Sequence, residues 1–494
     1  MLLRIDWGAS AMNRISRKLM YTWVSLGPRF LPFADVATKE LPLSRLLRLS
    51  LFQVSVGMAL VMLVGTLNRV MIVELGVPVS LVAVMISIPL IFAPFRALIG
   101  FNSDNHRSEL GWRRVPFIWK GTMLQFGGLA IMPFALLVLS GGGESARAPI
   151  WIGHMGAGVA FLLVGAGLHM TQTVGLALAT DLAPPDARPK VVGLMYVMLL
   201  FGMIGSALIF GALLSDFTPG RLIQVIQGSA VVTIALNTIA LWKQEKRDPG
   251  RIRDVVQRPT FAQAWAVFAS EAGAIRRLVA VGLGTMAFSM EDVLLEPYGG
   301  QVLHLSVGDT TKLTATLAIG GLFGFGLASR MLSRGFDPFR MAAYGALVGL
   351  PAFMSVILAA PLSSTFLFAQ GTAMIGFGGG LFGHGTLTAT MNMAPDKQSG
   401  LALGAWGAVQ ASAAGIAVAL GGIIRDVIVG ITADLPQGSL WATPAISYST
   451  VYALEIALLL VTLFAMRTLI MPNVEINQSE QTSIKHFEGS AVPS

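Results

Sequence analysis

Apolar runs of about 20 residues or more recur from residue 50 to residue 471, and each is long enough to cross the roughly 30 Å of bilayer hydrocarbon as a helix. Hydrocarbon offers no partner for backbone N–H and C=O groups, so a chain built this way must satisfy them internally, and helices do so. Twelve spans are predicted, near 50–75, 79–101, 115–139, 150–180, 190–215, 221–242, 276–300, 309–333, 339–359, 364–393, 398–425 and 447–471. Composition excludes the soluble alternative. The chain is 54% hydrophobic and 12% charged, against about 25% charged in ordinary soluble domains. With no cysteine, disulfides, thiolate metal sites and cysteine nucleophiles are ruled out.

The longest break, 243–275, begins with the charged run Lys-Gln-Glu-Lys-Arg-Asp-Pro-Gly-Arg-Ile-Arg-Asp. It continues through Phe261, Trp265 and Phe268, an apolar set suited to a membrane surface. The organisation is therefore an N-terminal arm (1–42), a six-helix bundle (43–242), a linker (243–275), a second six-helix bundle (276–471) and a tail (472–494). The arm reads as a cytoplasmic, membrane-surface segment rather than a signal peptide, because Arg14, Arg17, Lys18, Arg29 and Lys39 interrupt it. A short repeat supports the pseudo-symmetry: Ala183, Pro184 and Gly193 recur as Ala394, Pro395 and Gly404 at the same connection of each half.

If the spans are right, loops alternate between sides. One side receives 28 of the lysines and arginines and the other four (Arg147, Arg221, Lys312 and Arg425), with Arg69 and Arg96 inside spans. Such asymmetry is the positive-inside pattern, and it puts both termini in the cytoplasm. It also explains the net charge of +8 without nucleic acid, since the basic residues are scattered over short loops. Topology reporters fused after residues 145, 305 and 435 should read periplasmic, and those after 250 and 475 cytoplasmic. A single reversal inside either half would overturn the span count.

Three features carry candidate chemistry, and a glycine pattern only imitates one. The loop between spans 2 and 3 reads Gly100-Phe-Asn-Ser-Asp104-Asn-His-Arg107-Ser-Glu-Leu-Gly111-Trp-Arg113-Arg114. It resembles the Gly-x-x-x-Asp-Arg…Gly-Arg-Arg signature of the major facilitator superfamily, although its spacing after the Asp is about three residues too long. The loop at Ser329-Arg330…Gly335 lacks the Asp. The resemblance implies a cytoplasmic latch between the halves, with charge-assisted bonds fixing helix ends; the plainer reading is a topogenic basic loop. Span 7 holds Glu291, Asp292 and Glu296 ahead of Pro297-Tyr298-Gly299-Gly300, and acids at membrane depth need a partner or water. Arg69 and Glu74 in span 1 lie at similar depth, so an inter-half network of Arg69, Glu74, Glu291, Asp292 and Glu296 is expected, with interfacial hydration as the alternative. His169 and His384 sit mid-membrane in the repeat-related spans 4 and 10. Neutral imidazole suits a chlorophyll magnesium, a proton relay, or a plain interhelical hydrogen bond. Gly378-x-Gly380-x-x-Gly383 matches a dinucleotide fingerprint only as a pattern, since it follows no strand. Gly320/Gly324 and Gly376/Gly380 read better as small-x-x-x-small faces for helix packing.

Several blocks together resemble the PucC family of photosynthetic bacteria, a branch of the major facilitator superfamily devoted to light-harvesting complex assembly. They are Leu51-Phe-Gln-Val-Ser-Val-Gly-Met58, Gly65-Thr-Leu-Asn-Arg-Val-Met-Ile-Val-Glu-Leu-Gly76, Phe95-Arg-Ala-Leu-Ile-Gly100, Gly111-Trp-Arg-Arg-Val-Pro116, Leu124-Gln-Phe-Gly-Gly128 and Glu291-Asp-Val-Leu-Leu-Glu-Pro-Tyr-Gly-Gly300. The resemblance runs from about residue 30 to 470. Leu31-Pro-Phe-Ala-Asp35, Glu40-Leu-Pro-Leu43 and Leu46-Leu-Arg-Leu-Ser50 look most like its LhaA branch, which serves the core antenna, whereas the PucC branch proper serves the peripheral antenna.

The resemblance implies an all-α membrane protein with twelve transmembrane helices in two pseudo-symmetric six-helix halves, the major facilitator superfamily fold. It implies a non-enzymatic assembly factor that binds bacteriochlorophyll a and delivers it to antenna apoproteins during insertion, with carotenoid left open. His169, His384, Glu291, Glu296 and Tyr298 are the candidate pigment-binding residues. Magnesium would enter only within the pigment. Expected partners are the antenna apoproteins, the reaction centre, bacteriochlorophyll synthase, the insertion machinery and the lipid bilayer. The expected location is the bacterial inner, photosynthetic intracytoplasmic membrane. The competing expectation is a proton-coupled small-solute transporter on the same fold, with a ligand-free scaffold as a third.

Overall fold

The computed structural model describes residues 42–91, 99, 103, 112–184, 187–245, 273–392, 399–433, 436 and 443–470. Every regular element among them is helical. The helices are α1 (Leu43–Glu74), α2 (Val79–Ile91), α3 (Val115–Leu139), α4 (Ile150–Leu182), α5 (Arg188–Leu213) and α6 (Pro219–Leu241). They continue with a broken α7 (Ala274–Ala287, then Leu295–Gln301), α8 (Val307–Leu332), α9 (Pro338–Ala359), α10 (Thr365–Asn392), α11 (Ser399–Thr432) and α12 (Pro444–Ile470). Eleven are long and apolar enough to cross a membrane; α2 is described only as far as Ile91. Large apolar side chains on outer faces, such as Phe134, Phe366 and Phe464, are 70, 79 and 76% exposed, which suits a hydrocarbon solvent.

Contacts divide the chain into two compact units, and the division departs from the expected one. The boundary falls inside α1, between Met62 and Leu63, rather than in the linker alone. The remainder of α1 and all of described α2 group with α7–α12, while α3–α6 group with Leu43–Met62. The short segment Leu214–Phe217 also joins the second unit. The cause is local. α1 ends in two π-helical stretches, Val61–Leu67 and Val70–Glu74, and from there its polar residues engage α7 and α8.

In the first unit, α3 and α4 approach backbone to backbone. A Cβ added to Gly128 would lie 2.7 Å from Ala160 O, and one at Gly121 2.8 Å from Gly167 O. α1 and α5 meet the same way, through Gly57 and Gly202. A buried polar ladder fixes register: Ser55 Oγ donates to Asn237 Oδ1 (2.8 Å), Asn237 Nδ2 to Thr122 Oγ1 (2.9 Å) and Gln125 Nε2 to Thr171 Oγ1 (3.0 Å). Where lipid tails are as apolar as leucine, close packing and such bonds replace the hydrophobic drive between helices.

In the second unit, α8 and α10 use the glycine faces the sequence suggested. Gly320 and Gly324 face the backbone of Ala373 and Phe377, while Gly376 and Gly380 face that of Leu317 and Gly321. Helix starts carry side-chain caps: Asp337 Oδ1 accepts from Arg340 N (2.7 Å) at α9, and Asp426 Oδ2 accepts from Ser80 N (2.7 Å) at α2.

Candidate functional site

The second unit contains a buried polar core built around the break in α7. Pro297 has no N–H, so it cannot bond the carbonyl of Val293 four residues back, and the helix interrupts ahead of it. After Ala287 the chain turns, makes a 3₁₀ turn over Glu291–Val293, and resumes as helix at Leu295. An interruption at membrane depth survives only if other groups satisfy the freed backbone. Asn68 Nδ2 donates to Val293 O (3.1 Å), and Glu455 Oε1, from α12, accepts from Glu291 N (2.8 Å).

Arg69 is 4% exposed, and its guanidinium pairs with Glu74 Oε1 and donates to Leu305 O (3.1 Å). Gly300 makes the space, since a Cβ there would lie 3.2 Å from Arg69 Nε. Glu296 accepts a hydrogen bond from Thr314 Oγ1, and its Oε2 has no partner among the described residues. Gly65 opens the room around it, because a Cβ at that position would lie 2.8 Å from Glu296 Oε1. Nearby, Thr66 and Thr311 hydroxyls approach to 3.5 Å. Further along, Gln301 Oε1 accepts from Arg425 Nη2 (2.7 Å) and from Tyr448 OH (2.7 Å), and Arg425 also pairs with Asp426 (2.9 Å). Tyr298 is fully buried, donates to Val356 O (3.0 Å), and packs against Phe368, Tyr448 and Tyr452 at ring separations of 5.1, 5.5 and 5.8 Å.

The expected network is therefore partly rearranged. Arg69 pairs with Glu74 and donates to Leu305 O, with Glu296 within its electrostatic reach, and all four residues belong to the second unit. Glu291 and Glu296 are buried in the same unit, and Asp292 is half-buried. Glu455, Asn68, Thr314, Gln301 and Arg425 join the core without having been anticipated. Arg425, expected at the far end of span 11, lies within α11.

The expected latch is described in part. Gly100, Asp104, Arg107 and Gly111 lie outside the described residues. Arg113 and Arg114 both pair with Asp181 at the end of α4, and Arg114 Nη1 donates to Ser103 Oγ (2.6 Å). The first free N–H groups of α3, at Arg113, Arg114 and Val115, converge on the Glu245 carboxylate at 2.8–3.1 Å. An anion at a helix N-terminus answers both unsatisfied donors and the helix dipole. These partners all belong to the first unit, so the described contacts clamp one bundle rather than latch two.

His169 lies half-buried on α4 in the first unit; His384 lies half-buried on α10 in the second. The His384 ring rests on Phe325, centroids 4.2 Å apart. Its Nδ1 is buried without a hydrogen-bond partner among the described residues. An imidazole fixed against an aromatic ring is the kind of group that could ligate a magnesium tetrapyrrole; among the described residues no acceptor orients His384 Nδ1, unlike in most metal-bound histidines. Tyr298 is enclosed by its own aromatic cluster and presents no free hydroxyl, so it does not fit the pigment role expected of it.

The family model described as "PUCC protein" matches residues 66–474. Protein PucC of Rhodovulum sulfidophilum is 63% identical over 420 residues, covering 84% of this chain and 92% of that protein. Protein PucC of Rhodobacter capsulatus is 59% identical, covering 88% of this chain and 94% of that protein. The bacteriochlorophyll synthase 44.5 kDa chain of Rhodobacter capsulatus is 26% identical over 78% of this chain and 88% of its own length. Among solved structures, a bacterial homologue of the human lysosomal transporter Spinster, inward-facing and unoccupied, superposes with TM-score 0.62 at 14% identity, covering 86% of this chain and 97% of that one. A mutant of the nucleoside transporter NupG gives TM-score 0.62 at 15% identity, over 86% of this chain and 100% of that one. These two are transporters of the major facilitator superfamily, and the likeness assigns this chain the same fold.

Proposed function

This chain belongs to the PucC family, and from that premise we propose that it is a non-enzymatic assembly factor for bacterial light-harvesting antenna, carrying bacteriochlorophyll to antenna apoproteins as they enter the membrane. The observation that carries the reading is the family match over residues 66–474. Antenna polypeptides in this reading are short membrane helices that cannot shield a pigment until they have paired around it. A polytopic carrier beside the insertion site keeps pigment and apoprotein apart from lipid and light until they meet. His384, with its Phe325 support, and His169 in the other unit are the proposed ligands; the pigment supplies the magnesium. The reaction centre, the pigment synthase and the insertion machinery are proposed neighbours at the inner membrane.

Two clients are open to it. The blocks at residues 31–50 resemble the core-antenna branch, while the relatives at 63% and 59% identity bear the PucC name, over far more of the chain. A deletion strain separates them. Loss of near-infrared core-antenna absorption with a preserved reaction-centre signal assigns the core; loss of the peripheral antenna alone assigns the PucC branch proper. Protein purified from a pigment-making host should carry bacteriochlorophyll at fixed stoichiometry, lowered by His384→Phe and by His169→Phe. Unchanged pigment in the double variant would falsify the histidine assignment. The second reading, a proton-coupled solute transporter, is favoured by the transporter fold and the buried acids of the second unit. Normal antennae and an accumulated solute in the deletion strain would establish it instead.

A further inference from the structure

Glu455 sits in the apolar run of α12 and is 0% exposed; Glu291, at the break of α7, is 2% exposed. They are tied through the Glu291 N–H, which donates to Glu455 Oε1 at 2.8 Å. The Oε2 atom of each is buried and without a hydrogen-bond partner among the described residues. No lysine or arginine among those residues forms an ion pair with either. A separate observation points the same way. Tyr452, one helical turn from Glu455 on α12, is 0% exposed, and its hydroxyl is also unpartnered, within electrostatic reach of both carboxyl groups. Glu291, Glu455 and Tyr452 thus each carry a buried oxygen without a hydrogen-bond partner among the described residues. Leaving such groups unmatched at membrane depth is costly unless something binds there.

The occupant is small. Tyr298, Tyr448 and Tyr452 fill the neighbourhood with rings, and no three His, Asp or Glu side chains among the described residues converge as metal ligands. Two unpaired carboxylates in a low-dielectric interior cannot both be charged, and a proton neutralises one of them without needing volume. We propose that Glu291 and Glu455, with the Tyr452 phenol, form a proton-binding site at the break of α7. The other titratable groups facing it are known. Asp292 and Glu296 come from α7; Tyr448 comes from α12, where Arg425 and Asp426 of α11 cover it; Arg69 of α1 faces Glu296.

The consequence is mechanical. An ionised carboxylate accepts backbone N–H bonds more strongly than a neutral acid does. A proton arriving at Glu455 loosens the hold of α12 on the α7 break, and its departure restores it. This does not depend on whether the protein carries pigment or solute.

The test uses the full-length protein in liposomes and dicyclohexylcarbodiimide, which labels protonated carboxyl groups in apolar surroundings. Peptide mass mapping should find the label on Glu291 or Glu455, declining as pH rises. Infrared difference spectra across the same pH range should show a protonated-acid carbonyl band that Glu455→Gln and Glu291→Gln remove. Glutamine keeps the N–H acceptor, so a Glu455 that merely caps the α7 break would leave the spectra unchanged on substitution, and that result overturns the proposal. Protection from the label by sodium chloride, but not choline chloride, at fixed pH would assign the site to an alkali cation and overturn it too. If a glutamine variant fails to fold, the wild-type label decides alone: absence of label on both residues, or label indifferent to pH, sinks the proton site.

Discussion

Gly376→Leu should abolish accumulation of the folded protein, and Gly320→Leu should do the same. Both residues lie where α8 and α10 touch through main chain: a Cβ at either falls inside the backbone of the facing helix, at Leu317 for Gly376 and at Ala373 for Gly320. A side chain there cannot rotate away, because the obstacle is a carbonyl and not the tip of a flexible residue. The helices must part, and the neighbouring contacts at Gly324 and Gly380 part with them. Overpacking in well-packed cores costs about 1–3 kcal/mol or more. Here no hydrophobic effect between helices offsets it, since separated helices remain solvated by lipid. Gly383 is the control. It sits in the same helix, with nothing within 4 Å of an added Cβ, so Gly383→Ala should be tolerated and gain about 0.5–1 kcal/mol from helix propensity. The measurement is the monodisperse fraction after detergent extraction, together with thermal unfolding. Equal yields of Gly376→Leu and Gly383→Ala would show that α8 and α10 do not meet on these faces.

Those glycine faces were legible because their spacing of four repeats on one side of each helix. The matching contact in the first unit, through Gly121, Gly128 and Gly167, was not, since its glycines are seven residues apart on α3 and only Gly121 meets a glycine on α4, Gly128 facing Ala160 and Val164. Span 7 was expected to be continuous, although Pro297, Gly299, Gly300 and the three acids mark the place where α7 breaks, and the partner of the break was not anticipated. Glu455 lies 164 residues from Glu291, and a lone acid in an apolar run names no partner, although an ionisable residue inside a span is itself a functional flag. The unit boundary escaped for another reason. Sequence places a boundary where composition changes, at the linker, whereas contacts place it within α1, where the π-helical stretches redirect Thr66, Asn68 and Arg69 toward α7 and α8. Loop 2–3 was read through a family signature, and Glu245, which collects the N–H groups of α3, belongs to no part of that signature.

Glu74→Ala should destabilise the protein more than Arg69→Ala, although the two residues form one ion pair. The pairing itself follows from backbone geometry. In an ordinary α-helix residues five apart point in different directions, but the wider π turn over Val70–Glu74 brings Glu74 round beneath Arg69. The side chains differ in burial, 5% exposed for Arg69 and 38% for Glu74. Removing Glu74 leaves a guanidinium in the interior with Leu305 O as its remaining hydrogen-bond partner among the described residues, and breaking a buried pair from one side costs about 3–5 kcal/mol. Removing Arg69 leaves a carboxylate that water or headgroups reach, together with the lost bond to Leu305 O, about 1–3 kcal/mol in sum. The double variant leaves no guanidinium stranded in the interior, so it should unfold at a higher temperature than Glu74→Ala alone, and its deficit should fall short of the sum of the two single deficits. Thermal unfolding of the four proteins in one detergent decides it. A double variant less stable than either single would mean that Arg69 draws its compensation from the acids of α7 after all.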